Sequence, residues 1–76
     1  MKVGDIVTVE GRVRILGPHP DTSPNFWIGD MKPGDVGIII EKYVYRGFSG
    51  DHPWAKVLLP SGIFGWIPIE KLEIVK

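Results

Sequence analysis

The chain has 76 residues, 43% of them hydrophobic, with no cysteine and nine Lys plus Arg against nine Asp plus Glu. A chain this short forms one domain, residues 1–76, which buries only about 60% of its unfolded surface, so a deep cleft and a full core exclude one another. Without cysteine it can hold neither a disulfide nor a thiolate metal site, and without a basic excess it lacks the charge of a fold built around nucleic acid.

Ten glycines and seven prolines fall at intervals and cut the chain into short segments rich in Val, Ile, Tyr and Trp, the pattern of an all-β domain. The start, Met1-Lys2-Val3-Gly4-Asp5, has no apolar core of a signal peptide, and with the lack of cysteine this predicts a cytoplasmic protein. Residues 5–10 read as the first strand, with Ile6, Thr8 and Glu10 on one face and Val7 and Val9 on the other. After a bend at Gly11, residues 12–16 continue extended, Arg12 and Arg14 opposite Val13 and Ile15. Residues 17–32 hold Pro18, Pro20 and Pro24 and read as one long loop, a length that usually serves function.

Pro33-Gly34-Asp35 is a turn signal, and residues 36–45 are the longest strand, with Val36, Ile38 and Ile40 directed inward. Its apolar run, Ile38-Ile39-Ile40, is far too short to span a bilayer, so no membrane partner is expected. Residues 46–53 read as a second loop, residues 54–59 as a strand, Pro60-Ser61-Gly62 as a tight turn and residues 64–67 as the return strand. Pro68 ends that strand for want of an N–H. Ile69-Glu70-Lys71 fits one 3₁₀ turn and residues 72–75 a closing strand. No internal repeat is visible and no segment carries helical spacing. The pattern predicts a small closed five-stranded barrel with Val7, Val9, Val36, Ile38, Ile40, Val57, Leu59, Ile67 and Leu72 inside.

Several segments resemble the bacterial SH3 family. Val13-Arg14-Ile15-Leu16-Gly17-Pro18 resembles its opening Val-Arg-x-Gly-Pro, and Met31-Lys32-Pro33-Gly34-Asp35-Val36 its diverging turn. Trp54-Ala55-Lys56-Val57 resembles the Trp-x-Lys-Val strand, Gly62-Ile63-Phe64-Gly65-Trp66-Ile67-Pro68 the Gly-x-x-Gly-Trp-Val segment, and Leu72 falls near the closing Tyr-Leu. The resemblance spans residues 11–75 and implies an SH3-like barrel that binds a partner and carries no catalytic site or cofactor. Trp54 and Pro68 match two ligand-gripping positions of eukaryotic SH3 domains. Glu70 and Lys71 stand where those domains have Asn and Tyr, and their first aromatic segment is missing, so the usual grip on PxxP peptides is not implied. Bacterial relatives often bind cell-wall peptides. Val3-Gly4-Asp5 and Pro33-Gly34-Asp35-Val36-Gly37-Ile38 also resemble small SH3-like and KOW-type proteins of bacteria and phages, which implies a second reading, a nucleic-acid or ribosome-associated accessory.

Strand parity picks the candidate site. If Ala55, Val57 and Leu59 face inward, Trp54, Lys56 and Leu58 face outward, and the tight turn brings Phe64, Trp66 and Pro68 to the same side. Trp54, Trp66 and Pro68 then make one exposed patch, joined by Tyr43 and Tyr45 from the long strand and by Phe26 and Trp27 from the Pro-rich loop. Such a patch fits a protein or peptide partner, or a contact between copies of the chain. The nucleic-acid reading would use Arg12, Arg14 and Arg46 instead. His19 and His52, near Asp21 and Asp51, do not place three ligands on one centre, so no metal is expected. Ser49, Asp51 and His52 have the residue types of a hydrolase triad but crowd one loop, and catalysis needs side chains that converge from rigid elements.

Overall fold

The computed structural model describes residues 1–17 and 26–75. Among the described residues seven strands build one antiparallel sheet: β1 (Ile6–Thr8), β2 (Val13–Gly17), β3 (Phe26–Met31), β4 (Gly37–Gly47), β5 (Gly50–Leu58), β6 (Phe64–Pro68) and β7 (Glu73–Ile74). A 3₁₀ turn, Ile69–Lys71, sits where the sequence places it. The strand order is β3-β2-β6-β5-β4-β1-β7, so β3 and β7 are edges and the curled sheet is a half-barrel. The all-β expectation holds, while the closed, five-stranded barrel does not. Among the described residues there is no α-helix, and no helix is long and apolar enough to cross a membrane.

One added strand and one longer hairpin come from the two expected loops. Phe26, Trp27 and Ile28 are strong strand formers, and β3 pairs with β2 through Arg14↔Asp30 and Ile15↔Gly29 before a bulge at Ile28. Pro18, His19, Pro20, Asp21 and Pro24 lie outside the described residues. The second expected loop, residues 46–53, is a ladder that runs out to Gly47↔Gly50, leaving only Phe48 and Ser49 as the connection.

The concave face holds the core: Val7, Val9, Ile15, Met31, Ile39, Ala55, Val57, Leu59, Ile67 and Leu72. The parity expected for β1, β5 and β6 is observed, whereas that of β4 is inverted. Ile39 is fully buried, while Val36, Ile38 and Ile40 are exposed. Three successive isoleucines look apolar in either phase, so neighbours decide. Val7 faces in and pairs with Gly37, which therefore also faces in. A Cβ on Gly37 would overlap Val57 Cγ1 and lie 3.1 Å from Leu59 Cδ2, so this inward site is already filled from β5 and its end. Ile40 is then an extra residue between Ile39↔Val57 and Glu41↔Lys56, a bulge that keeps both Ile38 and Glu41 outside.

One local motif occurs twice, contrary to the expectation of no repeat. In Lys2-Val3-Gly4-Asp5 and Lys32-Pro33-Gly34-Asp35 the Asp N–H donates to the Lys carbonyl at 3.0 and 2.9 Å. In both, the Lys N–H donates to Asp Oδ2, at 2.8 and 2.9 Å. Gly4 and Gly34 take φ of 97° and 96°, the left-handed region a type II turn needs. Each turn feeds a strand, β1 or β4, and the two strands pair.

β2 approaches β6 most closely at Gly65, where a Cβ would overlap Ile15 Cγ2 and come within 2.9 Å of the Leu16 carbonyl oxygen. Gly65→Ala is expected to destabilise the domain by about 1–3 kcal/mol through overpacking. Gly11→Ala, with open space around the new Cβ, should stay within about 0.5 kcal/mol of the parent. Urea unfolding of the two variants measures the contrast.

Candidate functional site

The convex face of the sheet is a set of cross-strand rows. Tyr43, Trp54 and Pro68 make one row, and Glu41, Lys56, Trp66, Leu16 and Trp27 the next. Parity thus places Trp54, Trp66 and Pro68 on one side, but they do not form one exposed patch. Trp66 is only 2% exposed. It sits on a central strand between Lys56 of β5 and Leu16 of β2, and the Tyr43 ring meets it edge-on at 6.4 Å between centroids. Trp66 is therefore a buried residue of the outer layer, separate from the inner core cluster.

Trp54 and Pro68 stay half-exposed for a backbone reason. β2 pairs with β6 only at Leu16↔Trp66. The next pair outward would join Arg14 to Pro68, and proline has no N–H to give. The strands separate there, and the gap becomes a groove whose floor is Trp54 and Pro68. On one side the groove runs between Arg12, just before β2, with Val13 and Arg14 of β2, and Glu70 and Lys71 of the 3₁₀ turn, with a volume of about 560 Å³. On the other it passes Tyr45, Asp51, His52 and Pro53 on the β4–β5 hairpin, with a volume of about 360 Å³. Trp54, Pro68 and Glu70 border both parts, so the two are one continuous surface.

Beside the groove, β2 and β3 form a polar cluster. Arg12 Nε donates to Asp30 Oδ2 at 2.6 Å, and its guanidinium forms an ion pair with the same oxygen. The Trp27 indole N–H donates to Asp30 Oδ1 at 3.0 Å and to the Gly29 carbonyl at 2.9 Å. The Arg14 guanidinium lies 4.9 Å from the centre of the Trp27 ring, a cation–π contact. Arg14 borders both this cluster and the groove, which joins Trp27 to the site.

The remaining expected residues scatter. Phe26 is exposed next to Gly17 on the β3 edge, and Tyr43 is spent on Trp66. Arg46 pairs with Asp51 on the hairpin and lines neither part of the groove, so the three arginines are not one patch. Ser49 Oγ and His52 Nε2 are 3.1 Å apart, yet Ser49, Asp51 and His52 are all exposed at the hairpin tip, where the His52 ring also leans on Tyr45. Reading residues 17–32 as a loop hides Asp30, because only the β2–β3 pairing sets it opposite Arg14. Glu10, Glu70 and Glu73 also border the groove, and nothing in their local sequence marks them.

Two carboxyls titrate away from their ordinary range. Hydrogen bonds from Arg12 and then Trp27 outweigh partial desolvation and hold Asp30 below it. A hydrogen bond with Glu10, aided by desolvation and by the Glu10 charge, raises Glu73 above it. The signs oppose. Asp30 stabilises the fold above its unfolded pKa, and that contribution is lost as pH falls through its lowered folded value. Glu73 stabilises the fold below its unfolded pKa, and that contribution is lost as pH rises through its raised folded value. Glu73→Gln is therefore expected to raise the melting temperature at neutral pH and to leave it nearly unchanged in acid. Asp30→Asn should lower it at neutral pH. Calorimetric melts across pH for both variants test the assignment.

No family model, no curated protein and no solved structure matches this chain.

Proposed function

We propose that this chain is a non-catalytic binding module that seats an extended protein or peptide segment along the Trp54–Pro68 groove. The observation that carries the reading is the shared floor: an aromatic ring and a proline, paired across β5 and β6, border both parts of one continuous groove. Trp54 and Tyr45 offer large contact area with few rotatable bonds, so ordering them on binding costs little entropy. The order β1, β2–β3 hairpin, β4, β5, β6, 3₁₀ turn, β7 supports an SH3-like arrangement, with β2–β3 as its long excursion. The absence of cysteine supports a cytoplasmic setting.

Charge favours a peptide over a nucleic acid. Glu10, Glu70 and Glu73 border the groove and would repel a phosphate backbone. Of the Arg and Lys side chains on the groove, Arg12 is paired with Asp30 and Arg14 lies over the Trp27 ring, which leaves Lys71, and Arg46 is elsewhere. The ligand that fits has apolar side chains over Trp54 and Pro68 and a basic residue toward Glu70, which borders both parts of the groove.

The test is selection from a library of linear peptides, followed by calorimetric titration of those selected. Trp54→Ala is expected to weaken their binding by about 2 kcal/mol or more while leaving the fold intact. Trp66→Ala, by contrast, should destabilise the domain by about 3–5 kcal/mol, since it removes a buried ring. If no peptide is selected and single-stranded oligonucleotides bind with affinity that falls steeply with salt, the nucleic-acid reading replaces this one.

A further inference from the structure

The Lys56 row divides the convex face, and on the side away from the groove lies an apolar surface that the peptide reading leaves unused. Ile6 pairs with Ile38, Ile38 with Leu58, and Leu58 with Phe64, so one outward row crosses four adjacent strands, β1, β4, β5 and β6. All four side chains are exposed, Ile6 by 51% and Phe64 by 49%, and exposed Val36 and Pro60 extend the row with Ile6, Ile38 and Leu58 around one shallow hollow. The chain has nine basic and nine acidic residues, and none of them stands in this row. The Lys56 ammonium, from the neighbouring row, folds over the Phe64 ring at 5.0 Å.

We propose that this surface is a self-association site, at which two copies of the chain pack their convex sheet faces together about a two-fold axis. Shape and area argue for that occupant. Strands lie about 4.8 Å apart, so the row is roughly 15 Å across, measured perpendicular to the strands. An extended peptide lying along one strand covers a third of that width, and a helix is a cylinder about 10 Å thick that touches it along one line. A second copy brings an apolar row of the same width, and where the two convex faces meet their side chains can interdigitate as those of aligned sheets do. With no charge in the row, the matching surface must itself be uncharged and apolar, which the same surface on another copy supplies by symmetry. The row and its neighbours, each roughly half exposed, present on the order of 500 Å² per copy. Two copies then remove at most about 1,000 Å², the lower limit for a specific interface, which sets a weak dimer with a micromolar or higher dissociation constant.

Sedimentation velocity over a micromolar-to-millimolar series, with amide shifts followed by NMR on dilution, tests the proposal on the intact chain. A monomer–dimer equilibrium is expected, with dilution shifts at Ile6, Ile38, Leu58 and Phe64. Leu58→Lys should weaken it at least about tenfold, since it sets like charges face to face across the two-fold axis. Ile6→Lys, at the most exposed position of the row, provides the same test if the Leu58 variant fails to fold. A monomer at every concentration overturns the proposal, including one that instead adsorbs to phosphatidylcholine vesicles. So does a dimer whose dilution shifts map to Tyr45 and Trp54 in the groove, or one that neither lysine weakens. Peptide binding in the Trp54 groove is a separate titration, so the two readings fail independently.

Discussion

Gly65 carries no side chain, and Ile15 occupies the space that one would take. That contact lays the β2–β3 hairpin onto β6 and bends the sheet round its core, because Ile15, Ile67 and Ala55 then face the same interior. The same approach places Leu16 beside Trp66 on the convex side and helps to bury the indole. Three residues further along β6, Pro68 has no N–H, and the contact between β2 and β6 ends. The core and the groove thus depend on one strand, which is held tightly at Gly65 and released at Pro68.

The convex face works as three bands. Trp54 and Pro68 floor a groove with charges of both signs along its walls. Lys56 and the buried Trp66, paired across β5 and β6, form a band between the other two. Ile38, Leu58 and Phe64 form an uncharged band on the far side. A small half-barrel buries one face of its sheet, so the convex positions other than Trp66 stay at least partly open, and their chemistry is set by which row they occupy.

The polar residues follow the same economy of contacts. Asp30 serves Arg12 and the Trp27 indole at once, which fixes the hairpin wall that borders the groove. Trp27 donates to the Gly29 carbonyl as well, beside the bulge at Ile28. Both features interrupt the ladder of β3, an edge strand whose Phe26-Trp27-Ile28 run would otherwise template pairing with another chain.

Local sequence determined those features that rest on short-range rules. Alternation over residues 54–59 and 64–67 orients Ala55, Val57, Leu59 and Ile67 inward once the charge of Lys56 sets the outward phase, because a tight turn couples the two strands. Pro68 marks the end of β6 and Ile69-Glu70-Lys71 the 3₁₀ turn, since both follow from backbone chemistry at the residue itself. Tertiary structure decided what depends on neighbours remote in the chain. Ile38-Ile39-Ile40 satisfies either parity, and only the pairing of Val7 with Gly37 chose Ile39 for the core. Outward parity was legible for both Trp54 and Trp66, but exposure was not. Whether an outward ring is covered depends on a strand 50 residues earlier, where Leu16 stands beside Trp66 and, past Pro68, nothing pairs beside Trp54.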